Sequence, residues 1–303
     1  MQMVYNGVDI TPHVEIEVLS VSDNCGDQLD AIDALLSDSE EQWSGWNPQK
    51  GDTLEIVDGG YRSGSMWIDQ IRQESGRLAL GAVSLPPNGR DKRTKSWEQI
   101  TLVTLAAEKA AQYGLTAKFY GVESYPYARL DQINRGDFGF LQERARLEGC
   151  TIKLFDGSLV AYGDRYIEQQ SAVKTIDVSQ FCGDPVFNDS AGKTFSGCAV
   201  SWQGIAGTYT DAECIGGQLN ISNIPVSSVG EAQRFAKNLL RSYNKRETLG
   251  EFPVTLDTTI TGGSVIAITG MGRSDGNYLI ELAKHDFTEQ VTLLRVRRCF
   301  TRY

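Results

Sequence analysis

Alternating apolar and polar positions dominate both ends of the chain, and a helical period takes over between them. Val14 to Val21 alternates as a half-buried strand does, and so do Thr53 to Val57, Arg77 to Leu80, Thr175 to Val178, Gly197 to Trp202, Val265 to Ile268 and Val291 to Val296. The breaks between these runs carry Gly, Asp, Ser and Asn, the residues that tight turns between strands require. Leu29 to Leu36 fits either a helical turn or a strand, because so short a run cannot discriminate between the two periods. One pattern occurs twice. Displaced by 211 positions, Gly51 to Val57 lies under Gly262 to Ile268, Gly59 under Gly270, Arg62-Ser63 under Arg273-Ser274, and Trp67-Ile68 under Tyr278-Leu279. Each copy reads as glycine, strand, Gly-rich turn, strand, polar turn, strand. The pattern predicts an internal duplication of one small antiparallel unit, although any two Gly-bounded meanders share some of it.

Between the copies the periodicity is helical. Ser96 and Gln99 have capping-box spacing and predict a helix carrying Ile100, Val103, Ala107, Ala110 and Ala111, with Gly114 just past its end. A second helix is predicted from Asp137 through Phe138, Leu141 and Ala145 to Gly149. Cys150 to Phe155 and Ser158 to Tyr162 then form a hairpin around Asp156-Gly157. Ser228 and Glu231 start a third helix, with Val229, Ala232, Phe235, Ala236, Leu239, Leu240 and Tyr243 as its apolar stripe. Its other face carries Arg234, Lys237, Arg241, Lys245 and Arg246, which suits either a solvated surface or docking to an acidic neighbour. Pro86 to Arg93 has linker composition. The expected organisation is a first β region at 1–90, a helix-helix-hairpin module at 91–168, and a second β region with an embedded helix at 169–303.

Composition narrows the function. A chain of 303 residues with 41% hydrophobic and 22% charged residues and 31 glycines suits two or three strand-rich domains. No apolar run reaches membrane-spanning length, and Met1 to Tyr5 lacks a secretory signal, so neither membrane insertion nor ordinary export is expected. A net charge of -10 disfavours a nucleic-acid-binding surface, while leaving room for nucleic acid to pass a repelling wall. Six cysteines without CxxC spacing read as reduced thiols rather than zinc ligands.

Reactive constellations are scarce. The two histidines, His13 and His285, have no partner motif, and Lys284-His285-Asp286 reads as a surface turn. Gly270 to Gly276 resembles a phosphate loop but precedes a strand, so it reads as a turn. Asp38, Glu40 and Glu41 beside Trp43 and Trp46 are the best hydrolase candidates: carboxylates next to rings that could stack on a sugar. The alternative is a solvated loop with two packed tryptophans. No catalytic residue, cofactor or metal ligand is assigned.

Arg129 to Cys150, a polar stretch followed by a Phe-Leu helix and a glycine, resembles a segment of phage tail hub proteins. Tyr5 to Thr11, Lys50-Gly51-Asp52 and the ending from Gly263 to Arg298, with Asp275 to Tyr278 before a strand and Lys284-His285 after it, are similar to the same family. That family is the late control protein D group, which includes contractile-tail baseplate hubs and the hub part of type VI secretion spike proteins. The resemblance implies an α+β, mainly β fold of two tube-protein-like antiparallel β-barrels related by duplication, plus a small α+β module. It implies a homotrimer that joins a hexameric tail tube to a trimeric spike. Its partners would be the tube protein, a separate spike polypeptide, other baseplate proteins and the tape measure protein. DNA would only pass through the lumen. The location would be the tail baseplate of a virion or headless particle, assembled in the host cytoplasm. The family's spike proteins carry further domains, whereas only Phe300 to Tyr303 follow Cys299 here, hence the expectation of a separate spike. Arg234, Lys237, Arg241 and Lys245 are the candidate partner-docking residues.

Overall fold

The computed structural model describes residues 1–303 except Asp27, Glu40 and Glu41. The first region contains β1 (Gln2–Tyr5), β2 (Val8–Asp9), β3 (Glu15–Asn24), β4 (Ala31–Ser37), a short helix α1 (Gln42–Trp46), β5 (Thr53–Asp58), β6 (Tyr61–Arg62), β7 (Met66–Glu74) and β8 (Arg77–Val83). The middle holds β9 (Lys92–Thr101), α2 (Leu102–Gln112), β10 (Thr116–Tyr120), β11 (Pro126–Gly136), α3 (Asp137–Leu147), β12 (Cys150–Phe155), β13 (Ser158–Gly163) and α4 (Asp164–Glu168). The remainder comprises β14 (Lys174–Asp177), β15 (Val186–Asp189), β16 (Gly197–Trp202), β17 (Ile205–Thr210), β18 (Gln218–Ile221), α5 (Val229–Asn244), β19 (Thr248–Thr255), β20 (Val265–Thr269), β21 (Gly276–Asp286) and β22 (Val291–Arg298). The fold is α+β and mainly β. Among the described residues no helix is long and apolar enough to cross a membrane.

The duplication is visible in strand order. The first half runs β1-β5-β7-β8-β4-β3 across the sheet, and the second runs β14-β20-β21-β22-β19-β15, the same sequence of elements in the same places. Local geometry repeats too. Gly51 N donates to Ile68 O (2.8 Å) and Ile68 N to Asp52 O (2.7 Å); Gly263 N donates to Ile280 O and Ile280 N to Ser264 O, both at 2.9 Å. Gly51 and Gly263 hold φ of +94° and +91°, a region open to glycine because it has no Cβ. A β-bulge follows each joint, between Ile68 and Gln70 and between Ile280 and Leu282. The equivalence is thus Gly51 with Gly263 rather than Gly262. The sequence alignment was one residue short because its glycine pair, Gly262-Gly263, offered two anchors. One difference remains: β1 runs antiparallel to β5, whereas β14 runs parallel to β20.

Each half has its own apolar core. Leu19, Ile32, Leu36, Leu54, Ile56, Ile68 and Leu80 fill the first, and Phe252, Ile266, Ile268, Tyr278, Ile280 and Leu294 the second. The halves are joined edge to edge, because β3 pairs antiparallel with the outer part of β21, from Ser20 opposite Asp286 to Asn24 opposite Leu282. One ladder of 14 strands results. A third core unites α2, α3 and the hairpin β12–β13 with β16, β18 and α5, so the helix embedded in the second region packs with the middle module.

Several expected elements take another form. Leu29 to Leu36 resolves as strand β4. Ser96 to Gln99 does not cap a helix: it lies in β9, where Ser96 faces Asp131 and Glu98 faces Arg129 of β11. Trp97 is drawn inward to stack on Phe140, ring centroids 6.0 Å apart. Cross-strand pairing satisfies that backbone, and the helix starts five residues later at the cap Thr101, whose Oγ1 accepts from Thr104 N at 3.2 Å. Gly114 (φ +68°), α3 and the hairpin turn at Asp156-Gly157 (φ +41° and +65°) follow the sequence reading. Within Pro86 to Arg93 the chain is mostly exposed, and Pro86 and Gly89 are its buried points. A Cβ on Gly89 would lie 2.6 Å from Leu85 and 3.1 Å from Phe138. His285 is in strand β21 and fully buried, not in a surface turn.

Candidate docking surface around helix α5

Helix α5 begins where Ser228 Oγ accepts from Glu231 N at 3.2 Å. The Glu231 carboxylate accepts from Ser227 N and Oγ, both at 2.7 Å, so the reciprocal half of the box falls one residue earlier than its spacing suggests. Ala232, Phe235, Ala236, Leu239 and Leu240 are buried, while Val229 and Tyr243 at the ends of the stripe are exposed. The helix lies close against β17: a Cβ on Gly207 would come within 2.3 Å of Gln233 N.

The basic residues of this helix turn mostly onto carboxylates of the chain itself. Arg234 holds Glu148 in a two-pronged contact (Nε 2.7 Å, Nη2 3.1 Å) and stacks on Tyr125 at 4.2 Å. Lys245 Nζ donates to Asp164 at 2.5 Å. Arg246 pairs with Glu281 at 3.2 Å. Arg241 is 5% exposed and donates to Glu168 and to the main-chain oxygens of Phe300, Arg302 and Tyr303. Glu168 also accepts from Arg297, itself buried. Among the described residues Lys237 has no carboxylate partner; its ammonium lies over Tyr209 at 5.6 Å.

These pairs form a buried polar seam between α4, α5 and β22. Burial works to raise the Asp164 carboxyl, but the charges of Lys245 and Arg297 overcome it and hold it below the ordinary carboxylate range. Arg297 is disfavoured as a cation by burial, and Glu168 and Asp164 reverse that, so it stays charged. A second buried carboxylate, Asp137 at the start of α3, accepts from Lys109 (2.8 Å), Gln112, Tyr113 and Gln132. Sequence reading missed these carboxylates. Their only signal was a place beside a glycine at a helix start, Gly136-Asp137 and Gly163-Asp164.

Two clefts flank the helix. One, of 760 Å³, is lined by Tyr125, Tyr166, Tyr209, Arg234, Lys237 and Arg241. The other, of 1020 Å³, takes in Lys245, Arg246, Glu143, Glu281 and Arg295. Three of the four candidate docking residues thus line the first cleft and Lys245 the second, and among the described residues Lys237 alone of the four has no carboxylate or main-chain oxygen partner.

Of the hydrolase constellation, Asp38, Trp43 and Trp46 lie among the described residues. Asp38 is 5% exposed, and its Oδ1 accepts from Trp43 N at 3.1 Å, capping α1. Trp43 is buried against Tyr5 and Trp46, while Trp46 is exposed. Glu40 and Glu41 lie outside the described residues. Among the described residues no cluster of His, Cys, Asp or Glu is arranged to hold a metal ion. The six cysteines are free thiols.

No family model matches the sequence. No curated protein matches it either. Solved structures do. The 43 kDa tail protein of prophage MuSo2 from Shewanella oneidensis is 13% identical with a TM-score of 0.78, over 98% of this chain and 98% of that one. A tail protein from Neisseria meningitidis is 15% identical with a TM-score of 0.77, over 98% and 95%. An Escherichia coli component of the type VI secretion system, described as structurally similar to the T4 bacteriophage tail proteins gp27 and gp5, is 10% identical with a TM-score of 0.65, over 100% and 78%. At these identities the likeness is one of fold: the chain has the fold of these tail proteins, end to end.

Proposed function

We propose that this protein is a structural component of a phage tail or phage-tail-like particle, acting as the baseplate hub. The observation that carries this is the duplicated half, with its repeated strand order, glycine joint and bulge, in a chain whose fold matches prophage tail proteins over 98% of its length. Three copies would place six similar halves in a ring, offering quasi-sixfold symmetry to a tail tube and threefold symmetry to a spike. Work of this kind is symmetry matching and passage, with no reaction. Lys237, which has no ion pair among the described residues, is the proposed contact to a partner carboxylate, and Arg234, Arg241 and Lys245 shape the surface around it. Spike, tube, tape measure and other baseplate proteins are the proposed partners.

The test is the mass and shape of the purified protein by light scattering and negative-stain imaging. A threefold ring with a central hole, alone or with tube and spike proteins, is expected. A monomer that stays monomeric with those partners would refute the hub.

A further inference from the structure

The joint between the two halves has an unfilled twin. In the second half a row runs across four strands: Ile280 at the bulge of β21, Val296 in β22, Gly250 in β19 and Phe187 in β15. The matching row in the first half is Ile68 in β7, Ala82 in β8, Ile32 in β4 and Val21 in β3. Beyond its bulge, β21 is paired on its far side by β3, with Val21 opposite His285 and Ser22 opposite Lys284. Beyond its own bulge, β7 has only β8 beside it. From Gln70 to Glu74 the other edge has no strand partner among the described residues, and Gln70, Arg72, Gln73 and Glu74 are exposed.

The strand equivalent to β3 is β15, which ends the ladder. Among the described residues it pairs only with β19, and Val186 on it is 65% exposed. Its hydrogen-bonding phase is right for the same joint. Ser190 N donates inward to Glu247 O (3.0 Å), so Phe187 and Asp189 turn their main-chain groups outward, as Val21 and Asp23 do toward β21. A bare donor strand and a bare acceptor edge, each the counterpart of a strand already joined within the chain, are complementary by construction.

We infer that β15 of one copy pairs antiparallel with the outer part of β7 of a second copy, in the register of the internal joint. Phe187 then lies opposite Gln73 of the next copy and Asn188 opposite its Arg72. The contact is head to tail, and repetition of the internal step closes it into a ring of alternating halves. The inference rests on the proposed trimer and names the surface that makes it.

Asn188 and Arg72 would form a non-hydrogen-bonded pair, the position at which side chains approach most closely. The variant carrying both Asn188→Cys and Arg72→Cys should give a covalent trimer under mild oxidation, resolved on a non-reducing gel. The parent and the two single variants are the controls, since the chain already carries free thiols. Separately, Asp189→Pro removes an outward N–H and should yield monomers with unchanged circular dichroism. A wild-type trimer whose paired cysteines do not link, and which Asp189→Pro leaves intact, would overturn this joint and leave the hub standing. A wild-type chain that never oligomerises, alone or with tube and spike proteins, would overturn both.

Discussion

His285 sits with Nδ1 3.0 Å from Thr292 Oγ1 and the Tyr61 ring 5.4 Å away. Burial lowers its pKa, and the charges of Asp23 and Asp257 offset only part of that. The folded chain holds it neutral, while an unfolded histidine titrates near pH ~6.5. Below that pH the unfolded state binds more protons, so the stability His285 contributes is complete above about pH 6.5 and is lost as the pH falls. Asp30 works in the opposite sense over the same range, since burial pushes its carboxyl up to about 7 despite Lys153. Comparing wild type with His285→Leu isolates the histidine. The Tm of the variant relative to wild type should rise between about pH 7.5 and about pH 5.5. A difference that does not change with pH would contradict the assignment. The sequence could not show this burial, because Lys284-His285-Asp286 looks solvated until β3 and β22 close over both sides of the strand.

Elements were legible where one local rule decided them. Asp156-Gly157 could only be a two-residue turn, and Ser228 with an amphipathic stripe behind it could only start a helix. Legibility failed where a distant strand decided. Ser96 to Gln99 has the composition of a cap, yet its backbone bonds to β11, some thirty residues away in the chain, and tertiary pairing overrides propensity. The difference is measurable. Thr101→Ala should cost about 1 kcal/mol through loss of the cap, whereas Ser96→Ala on the exposed ribbon should stay within about 0.5 kcal/mol. Urea denaturation of both variants decides it, and equal losses would return the helix start to Ser96. The basic face of α5 was legible as a charged stripe but not as an inward one. Its carboxylate partners come from three separate places: Glu148 from the loop after α3, Asp164 and Glu168 from α4, and Glu281 from β21.

At the scale of the molecule the duplication was readable from two glycine-bounded meanders, but the joint between halves was not, since nothing local links Ser20–Asn24 to Leu282–Asp286. If the ring forms, the Tm of the wild type should rise with protein concentration, because association acts on the folded state alone. The Tm of Asp189→Pro should not depend on concentration. A wild-type Tm independent of concentration across the range where light scattering sees a trimer would argue that the joint adds nothing to stability. The β3–β21 joint also bears on how quickly such a particle can be built. Half of the joints in the proposed ring would lie within a chain, where the two surfaces meet at the high effective concentration of a tether. Only three encounters between separate molecules would then be left, each involving a surface whose counterpart has already formed inside the same chain. On the proposed assembly, a cell making few copies of the protein would complete a sixfold frame at a concentration where six independent subunits would remain scattered.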